Sequence, residues 1–337
     1  MSDNTAKQAN AVVQVEALTV DFWERQGWLN VVNRVSFNIY PGETLGLAGE
    51  SGCGKSTTGY ALFGYRRPGS RFREGAIYFE GRDLLTQSET ELRAIRGDQI
   101  CLVPQNPATT LTPSMRVGQQ VVEALEAHHI CSGREADERT IDLFAQVGLP
   151  QPKAIAKRYP FQLSGGQQQR VVVAMALAGN PKLVVMDEPT TALDVTTQAR
   201  ILKLLARLQA ERGLSALYIT HNLGVMAQVA DRVAVMYAGE LVEVAPTAEF
   251  FRNPLHPYTR GLIAAVPRLS APNESKVKLR GLLRREELPQ GCRFAPRCPF
   301  AQSECFTQPQ PLITVGQDHQ VACWLWQSVA EKQGVAE

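Results

Sequence analysis

Apolar and polar positions alternate through the first forty residues. Val13, Val15, Leu18, Val20 and Phe22 fall at nearly every second position, and Val35, Phe37 and Ile39 do so strictly. A period of two belongs to a strand with one buried face, so this stretch predicts strands, closed by the turn signal Pro41-Gly42. Thr44 to Ala48 is a short, mostly apolar run, the pattern of a buried strand, and a glycine-rich loop and the helix-compatible stretch Lys55 to Phe63 follow it. From roughly 107 to 180 the period becomes helical. Ile141, Phe144 and Val147 recur at helical spacing, with Gly148 and Pro150 as the stop. Lys182 to Met186 predicts another strand, and Gln198 to Arg212 an amphipathic helix carrying Ile201, Leu204, Leu205 and Leu208 on one face. Leu217 to Ile219 reads as a strand and Arg232 to Val244 as a hairpin around Gly239. Strands alternating with helices predict an α/β fold with a largely parallel sheet. Beyond about 246 the composition shifts toward Pro, Arg and Cys, which predicts a separate appendage; the charged stretch Lys276 to Glu287 reads as a solvated linker.

Composition narrows the class without naming it. In 337 residues, 44% are hydrophobic and 20% charged, enough for a full core and unlike a disordered or collagenous chain. Lys and Arg total 35 against 33 Asp and Glu, so the net charge of +2 gives no field that would favour nucleic acid. The start, MSDNTAKQAN, lacks an apolar signal core, and no apolar run approaches the ~20 residues of a bilayer span. The expectation is a soluble cytoplasmic chain, or one held at a membrane by partners. Seven cysteines, an odd number, point away from a disulfide framework.

The chemistry begins at residue 49. Gly49-Glu50-Ser51-Gly52-Cys53-Gly54-Lys55-Ser56 matches G-x-x-x-x-G-K-[ST] between a predicted strand and a predicted helix. Its glycines let successive backbone N–H groups face phosphate oxygens, and the following helix adds its positive end. The expected nucleotide set is Gly49, Ser51, Gly52, Cys53, Gly54, Lys55, Ser56 and Thr57. Lys55 should reach the β- and γ-phosphates, and Ser56 should ligate Mg²⁺. Cys53 is a redox liability in a variable loop position, not a catalyst.

Leu183 to Asp187, followed by Glu188, is an apolar strand ending in two acids, which sets them at the carboxyl edge of the sheet beside the phosphate loop. Asp187 suits the Mg²⁺ sphere, and Glu188 suits a general base for the attacking water. Leu163-Ser164-Gly165-Gly166-Gln167 begins 23 residues before Asp187, counted from Ser164. Alone it would be a helix cap.

Together the three segments resemble the ATP-binding cassette (ABC) ATPases, with the last of them as the signature sequence. The resemblance extends to Gln105 in Pro104-Gln105-Asn106-Pro107 as the Q-loop, to Ala192-Leu193-Asp194 as the D-loop, and to His221 as the switch histidine. It implies an ABC-type P-loop NTPase fold: a RecA-like core with antiparallel β and helical subdomains, over 1–245 with the helical part at about 107–171. It also implies that two cassettes close face to face. Ser164, Gly165, Gly166 and Gln167 of one would meet the ATP held by the other, and Asp194 would communicate across the pair. Glu188, His221 and Gln105 would be the catalytic set, with Ser56, Gln105 and Asp187 around Mg²⁺. An aromatic upstream would stack on adenine; Trp28, Phe22 and Trp23 are candidates, with Trp28 favoured. Asn222, where relatives often carry Asp, is not expected to matter.

Within the family the closer resemblance is to the ATPases of dipeptide, oligopeptide and nickel importers. It rests on Asp187 to Thr196, on Met236-Tyr237-Ala238-Gly239, on His256-Pro257-Tyr258-Thr259-Arg260, and most specifically on Gly291 to Pro299. Tyr159-Pro160-Phe161-Gln162 also resembles the importer pattern, while Gln105 to Pro113 follows it less closely. The resemblance implies an energy-coupling ATPase for di- or oligopeptide import, peripheral on the cytoplasmic face of the inner membrane. Its partners would be two transmembrane permease subunits, a second and different ABC ATPase, and a solute-binding protein; no nucleic acid is expected. Import of nickel, a metallophore, glutathione or a sugar is the alternative, and a soluble ABC ATPase acting on DNA or ribosomes a more distant one.

The region 246–337 carries Cys292, Cys298, Cys305 and Cys323, separated by 5, 6 and 17 residues. The spacing is neither that of a zinc ribbon nor that of a ferredoxin. A 4Fe–4S cluster, which the resemblance implies, structural zinc and unmetallated thiols or disulfides all stay open. Cys101 reads as a core residue.

Overall fold

A computed structural model describes residues 11–25, 27–189, 195–266, 287–316 and 318–331. The stretch 276–286 of the predicted linker therefore lies outside the described residues, as does Asp194.

Two sheets form the frame. The first takes up the alternating N-terminal segments as β1 (Val13–Glu24) and β2 (Gly27–Ile39), joined by β4 (Ser70–Phe79) and β5 (Arg82–Asp83) in the antiparallel order β2-β1-β4-β5. The second contains β3 (Thr44–Ala48), β6 (Ile100–Val103), β7 (Leu183–Asp187), β8 (Ser215–Ile219), β9 (Arg232–Tyr237) and β10 (Glu240–Pro246). Its order ends β10-β9-β3-β8-β7-β6, with the five strands from β9 to β6 parallel.

The parallel strands are buried on both faces, and the pleat divides their side chains between two cores. Val184, Met186, Ala216 and Tyr218 face a core shared with the helical region and with Leu204, Leu205 and Leu208. Leu183, Val185, Leu217 and Ile219 face the opposite core, shared with β1 and β2. The amphipathic prediction thus holds for the helix Val195–Arg212. On the helix Gly133–Gln146, the buried face is Ala136, Thr140, Leu143 and Phe144, and Ile141 sits only half-buried at its flank.

The predicted hairpin forms at Ala238-Gly239, both at positive φ (46° and 96°), the two-residue turn whose twist suits paired strands. Beyond β10 the chain departs from expectation. Rather than standing apart, the C-terminal region adds β12 (His319–Val321) and β11 (Ile313–Gly316) to the main sheet beside β10. A buried acidic side chain ties this region to the sheet. Glu243, fully buried on β10, accepts hydrogen bonds from the Leu255 and His256 backbones at 2.8 and 2.9 Å and contacts His319 Nε2 at 2.8 Å. A buried carboxyl group needs hydrogen-bond partners, and the C-terminal residues supply them. Among the described residues, no helix is long and apolar enough to cross a membrane.

Candidate functional site

Four sequence segments meet at the carboxyl edge of the parallel sheet. The phosphate loop leaves β3, Gln105 follows β6, Asp187 and Glu188 end β7, and His221 follows β8. That edge, where neighbouring crossovers diverge, is where open α/β sheets bind ligands.

The loop's shape depends on two glycines. Gly49 has φ +148°, and a Cβ there would stand 2.2 Å from the Met236 carbonyl; Gly54 has φ +107°, with its Cβ position 2.9 Å from the Val31 carbonyl. Lys55, the first residue of the helix Lys55–Ala61, is buried and folds its Nζ onto the Gly49 and Glu50 carbonyls at 2.9 and 2.8 Å. Cys53 is buried beneath the same loop, its Sγ 3.8 Å from that Nζ, and burial pushes its thiol up, which makes it inert.

Ser56 Oγ donates to Asp187 Oδ1 at 3.0 Å, which joins the first helical turn to the end of β7. Burial pushes the Asp187 carboxyl above its ordinary range, and the Ser56 bond pulls it partly back. A hydroxyl oxygen and a carboxylate oxygen in contact are hard donors that fit Mg²⁺.

One residue further, Glu188 turns into the left-handed region at φ 46°, while its N–H donates to the Ile219 carbonyl at 2.9 Å. Such backbone strain gathers at functional sites. Gln105 Nε2 donates to Glu188 Oε2 at 3.0 Å, and His221 Nδ1 lies 2.9 Å from Oε1. Two residues of the expected catalytic set, Gln105 and His221, therefore both contact the third, Glu188. Asn222, passed over in the sequence, caps the helix Leu223–Val229 by accepting from the Gly224 and Val225 backbones, which also fixes the chain direction just after His221. An Asn ahead of an apolar run is a cap signal that could have revealed this role.

Ser164 starts the helix Gly165–Ala176 through a reciprocal capping box with Gln167. Ser164 and Gly165 are exposed and Gly166 and Gln167 half-buried, and the segment's remaining bonds, from Gln168 to the Pro160 and Leu163 carbonyls, are local. Its first turn thus faces outward. Trp28 is 44% exposed, edge-on to Trp23 at 5.3 Å, with the Arg71 guanidinium 4.0 Å from its ring centroid. Phe22 is half-buried beside the N-terminal core.

The four C-terminal cysteines lie near enough for their thiols to act on one another. Among the described residues, no group of three or more His, Cys, Asp or Glu side chains is set to hold a metal ion. The backbones of Cys292 and Cys305 are bonded at 2.7 Å, but Cys292 and Cys298 pack into the cluster around Phe294, and Cys323 into a different one with Leu255 and Val321. Burial pushes the Cys292 thiol up to about 11 and the Cys323 thiol up to about 12, with the neighbouring thiols adding to both. Cys101 is a buried core residue, as expected, its thiol also pushed up to about 12.

Known proteins align with this geometry. Residues 32–191 match the ABC transporter family, and residues 242–305 match the oligopeptide/dipeptide transporter C-terminal region. A Brucella abortus protein named "Putative peptide import ATP-binding protein" is 44% identical over 305 residues, spanning 90% of this chain and 92% of that one. A Brucella ovis protein of the same name is 43% identical over 335 residues, spanning 95% and 98%. Among solved structures, the dimeric post-hydrolysis state of the ATP-binding cassette MJ0796 bound to ADP and phosphate superposes with a TM-score of 0.64. That match has 30% identity and covers 70% of this chain and 98% of the other.

Proposed function

The chain belongs to the ABC transporter family of ATP-binding subunits, and from that premise we propose that it is the ATP-hydrolysing subunit of a peptide importer. The observation that carries the hydrolytic half is the Glu188 carboxylate held between Gln105 and His221 beside the Ser56–Asp187 pair. The peptide half is supported by the relatives' names and by the match of the C-terminal region.

In this reading the N–H groups of residues 49–56 and the Lys55 ammonium hold the phosphates. Mg²⁺, when bound, neutralises the β- and γ-phosphate oxygens, and Ser56, Asp187 and Gln105 would hold it. Glu188 accepts the proton of the attacking water, whose oxygen bonds to the γ-phosphorus as the bond to the β-phosphate oxygen breaks. His221 orients Glu188 and the γ-phosphate. The outward first turn at Ser164 and Gly166 serves the nucleotide of a second cassette, with Asp194 communicating between the two. Trp28 stacks on the adenine.

We assign residues 1–245 to the ATPase domain and 246–337 to the C-terminal region. The partners would be two permease subunits, a second, different ATPase and a solute-binding protein, with this chain on the cytoplasmic face of the membrane. Cys292, Cys298, Cys305 and Cys323 would be the ligands of a 4Fe–4S cluster with a structural role; absence of iron and acid-labile sulfide in anaerobically purified protein removes it. Affinity purification from detergent-solubilised membranes tests the assembly. Recovery of two multi-span proteins and a second cassette supports it, and recovery of the chain alone from the soluble fraction, or with ribosomes or DNA, removes the transport half.

A further inference from the structure

The residue that follows the first glycine of the phosphate loop is gripped by the C-terminal region. Arg297 sends both terminal nitrogens to Glu50, Nη1 to Oε2 and Nη2 to Oε1, each at 2.9 Å. Its side chain is only 5% exposed, and its guanidinium lies near the rings of Tyr237 and Phe294 and donates to Tyr237 Oη at 3.2 Å. Glu50 is held from a second side, because its backbone N–H donates to the hydroxyl of buried Tyr258 at 2.9 Å. Both anchors come from beyond β10. In the loop bounded by Cys292 and Cys298, Arg293 also donates to Asn30 Oδ1 at 3.2 Å and pairs with Glu240 at 3.0 Å.

We propose that Arg297 is a positioning residue for the nucleotide: by holding Glu50, it fixes the start of the phosphate loop in the shape that receives phosphates. The physical case is entropic and geometric. Gly49, Gly52 and Gly54, all at positive φ, leave the loop free to take other conformations, and a loop that must order on binding loses affinity. A two-pronged guanidinium–carboxylate pair restricts both the place and the orientation of Glu50. The C-terminal region thereby bears directly on ATP affinity, although none of its residues is expected to touch ATP. The inference rests on the ATP site proposed above.

The test is equilibrium titration of the full-length chain with a ribose-labelled fluorescent ATP analogue and Mg²⁺, together with thermal melting. Arg297→Ala is expected to weaken binding about tenfold, a loss near 1.4 kcal/mol. Arg297→Lys should recover part of it, Glu50→Gln should weaken binding similarly, and the double variant should be no worse than either single. Binding by Arg297→Ala within twofold of wild type overturns the proposal. So does a loss that follows the fall in melting temperature without rescue by lysine, or single-variant losses that multiply in the double variant. Should Arg297→Ala fail to fold, Glu50→Gln carries the test alone, and binding within twofold overturns it. If the wild type does not bind the analogue, the ATP-site reading itself fails, a distinct result.

Discussion

His221 Nδ1 lies 2.9 Å from Glu188 Oε1. That contact commits one oxygen of the carboxylate and leaves the other to Gln105 at 3.0 Å, so the ends of β6, β7 and β8 converge on one side chain. A carboxyl group fixed from both sides would, as the proposed base, be oriented before substrate arrives. Glu188→Gln keeps the shape and can keep both contacts but removes the basic oxygen. Turnover should fall about 10²- to 10⁴-fold while ATP affinity changes little. Phosphate release and nucleotide binding, measured on the same preparation, check this; turnover near the wild-type rate would place the base elsewhere.

Ser164 has two separable roles. As a cap, its hydroxyl accepts from the Gln167 backbone, and alanine there should cost about 1 kcal/mol of stability. In the composite site proposed above, it would face phosphate across an interface. Aspartate is as good a cap as serine but brings a negative charge. Ser164→Asp should therefore melt like the wild type and bind ATP normally as a single chain, yet lose about 100-fold in turnover by the assembled pair, a repulsion of a few kcal/mol at short range in a partly buried site. Wild-type turnover would show that this helix start does not meet ATP.

The strands and the phosphate loop were legible because their signals are local. Alternation in Val35, Phe37 and Ile39, the apolar run before Gly49, and the acids after Met186 each report on a few consecutive residues. The Gln105–Glu188–His221 contact was legible only through the family resemblance, since it joins residues 83 and 33 positions apart. What stayed hidden depends on partners distant in sequence. Glu243 looks like a polar position in an ordinary hairpin, and only the fold brings His319 to it from 76 residues away, which turns an expected appendage into two further strands. Glu50 occupies a variable motif position, and its partner is 247 residues distant. The cysteine spacing left a 4Fe–4S cluster, zinc and free thiols all open, and only the fold brings Cys323 near Cys292, Cys298 and Cys305.

Burial of these thiols has a reactive consequence. Thiols at about 11 or 12 are almost wholly protonated at pH 8, and Cys101, Cys292 and Cys323 are among them. The thiolate is the nucleophile, so alkylation of the folded chain at pH 8 should leave these three unmodified while half-exposed Cys131 reacts first. Mass mapping after a timed iodoacetamide pulse checks the order, with denaturant as the control that exposes all seven. Early labelling of Cys292 or Cys323 would mean that the C-terminal region opens in solution.

Acid should find a second weak point at His256. The ring is buried, its Nδ1 accepts from the Tyr258 backbone to cap the helix Pro257–Ala264, and burial lowers its pKa to about 4 although Glu243 acts in the opposite direction. In the unfolded chain a histidine titrates near 6.5. Between these values the unfolded state binds a proton that the folded state refuses, so stability falls as pH drops from about 6.5 to about 4 and is unaffected by this group above that range. The full difference is roughly 3 kcal/mol. His256→Asn keeps a capping oxygen without a titrating ring, and its denaturation midpoint should depend less on pH over that window than the wild type's. The comparison is of slopes between the two proteins, so contributions common to both cancel. Equal slopes would mean that the His256 ring takes up its proton at the same pH in the folded and unfolded chains, so that burial does not hold it neutral.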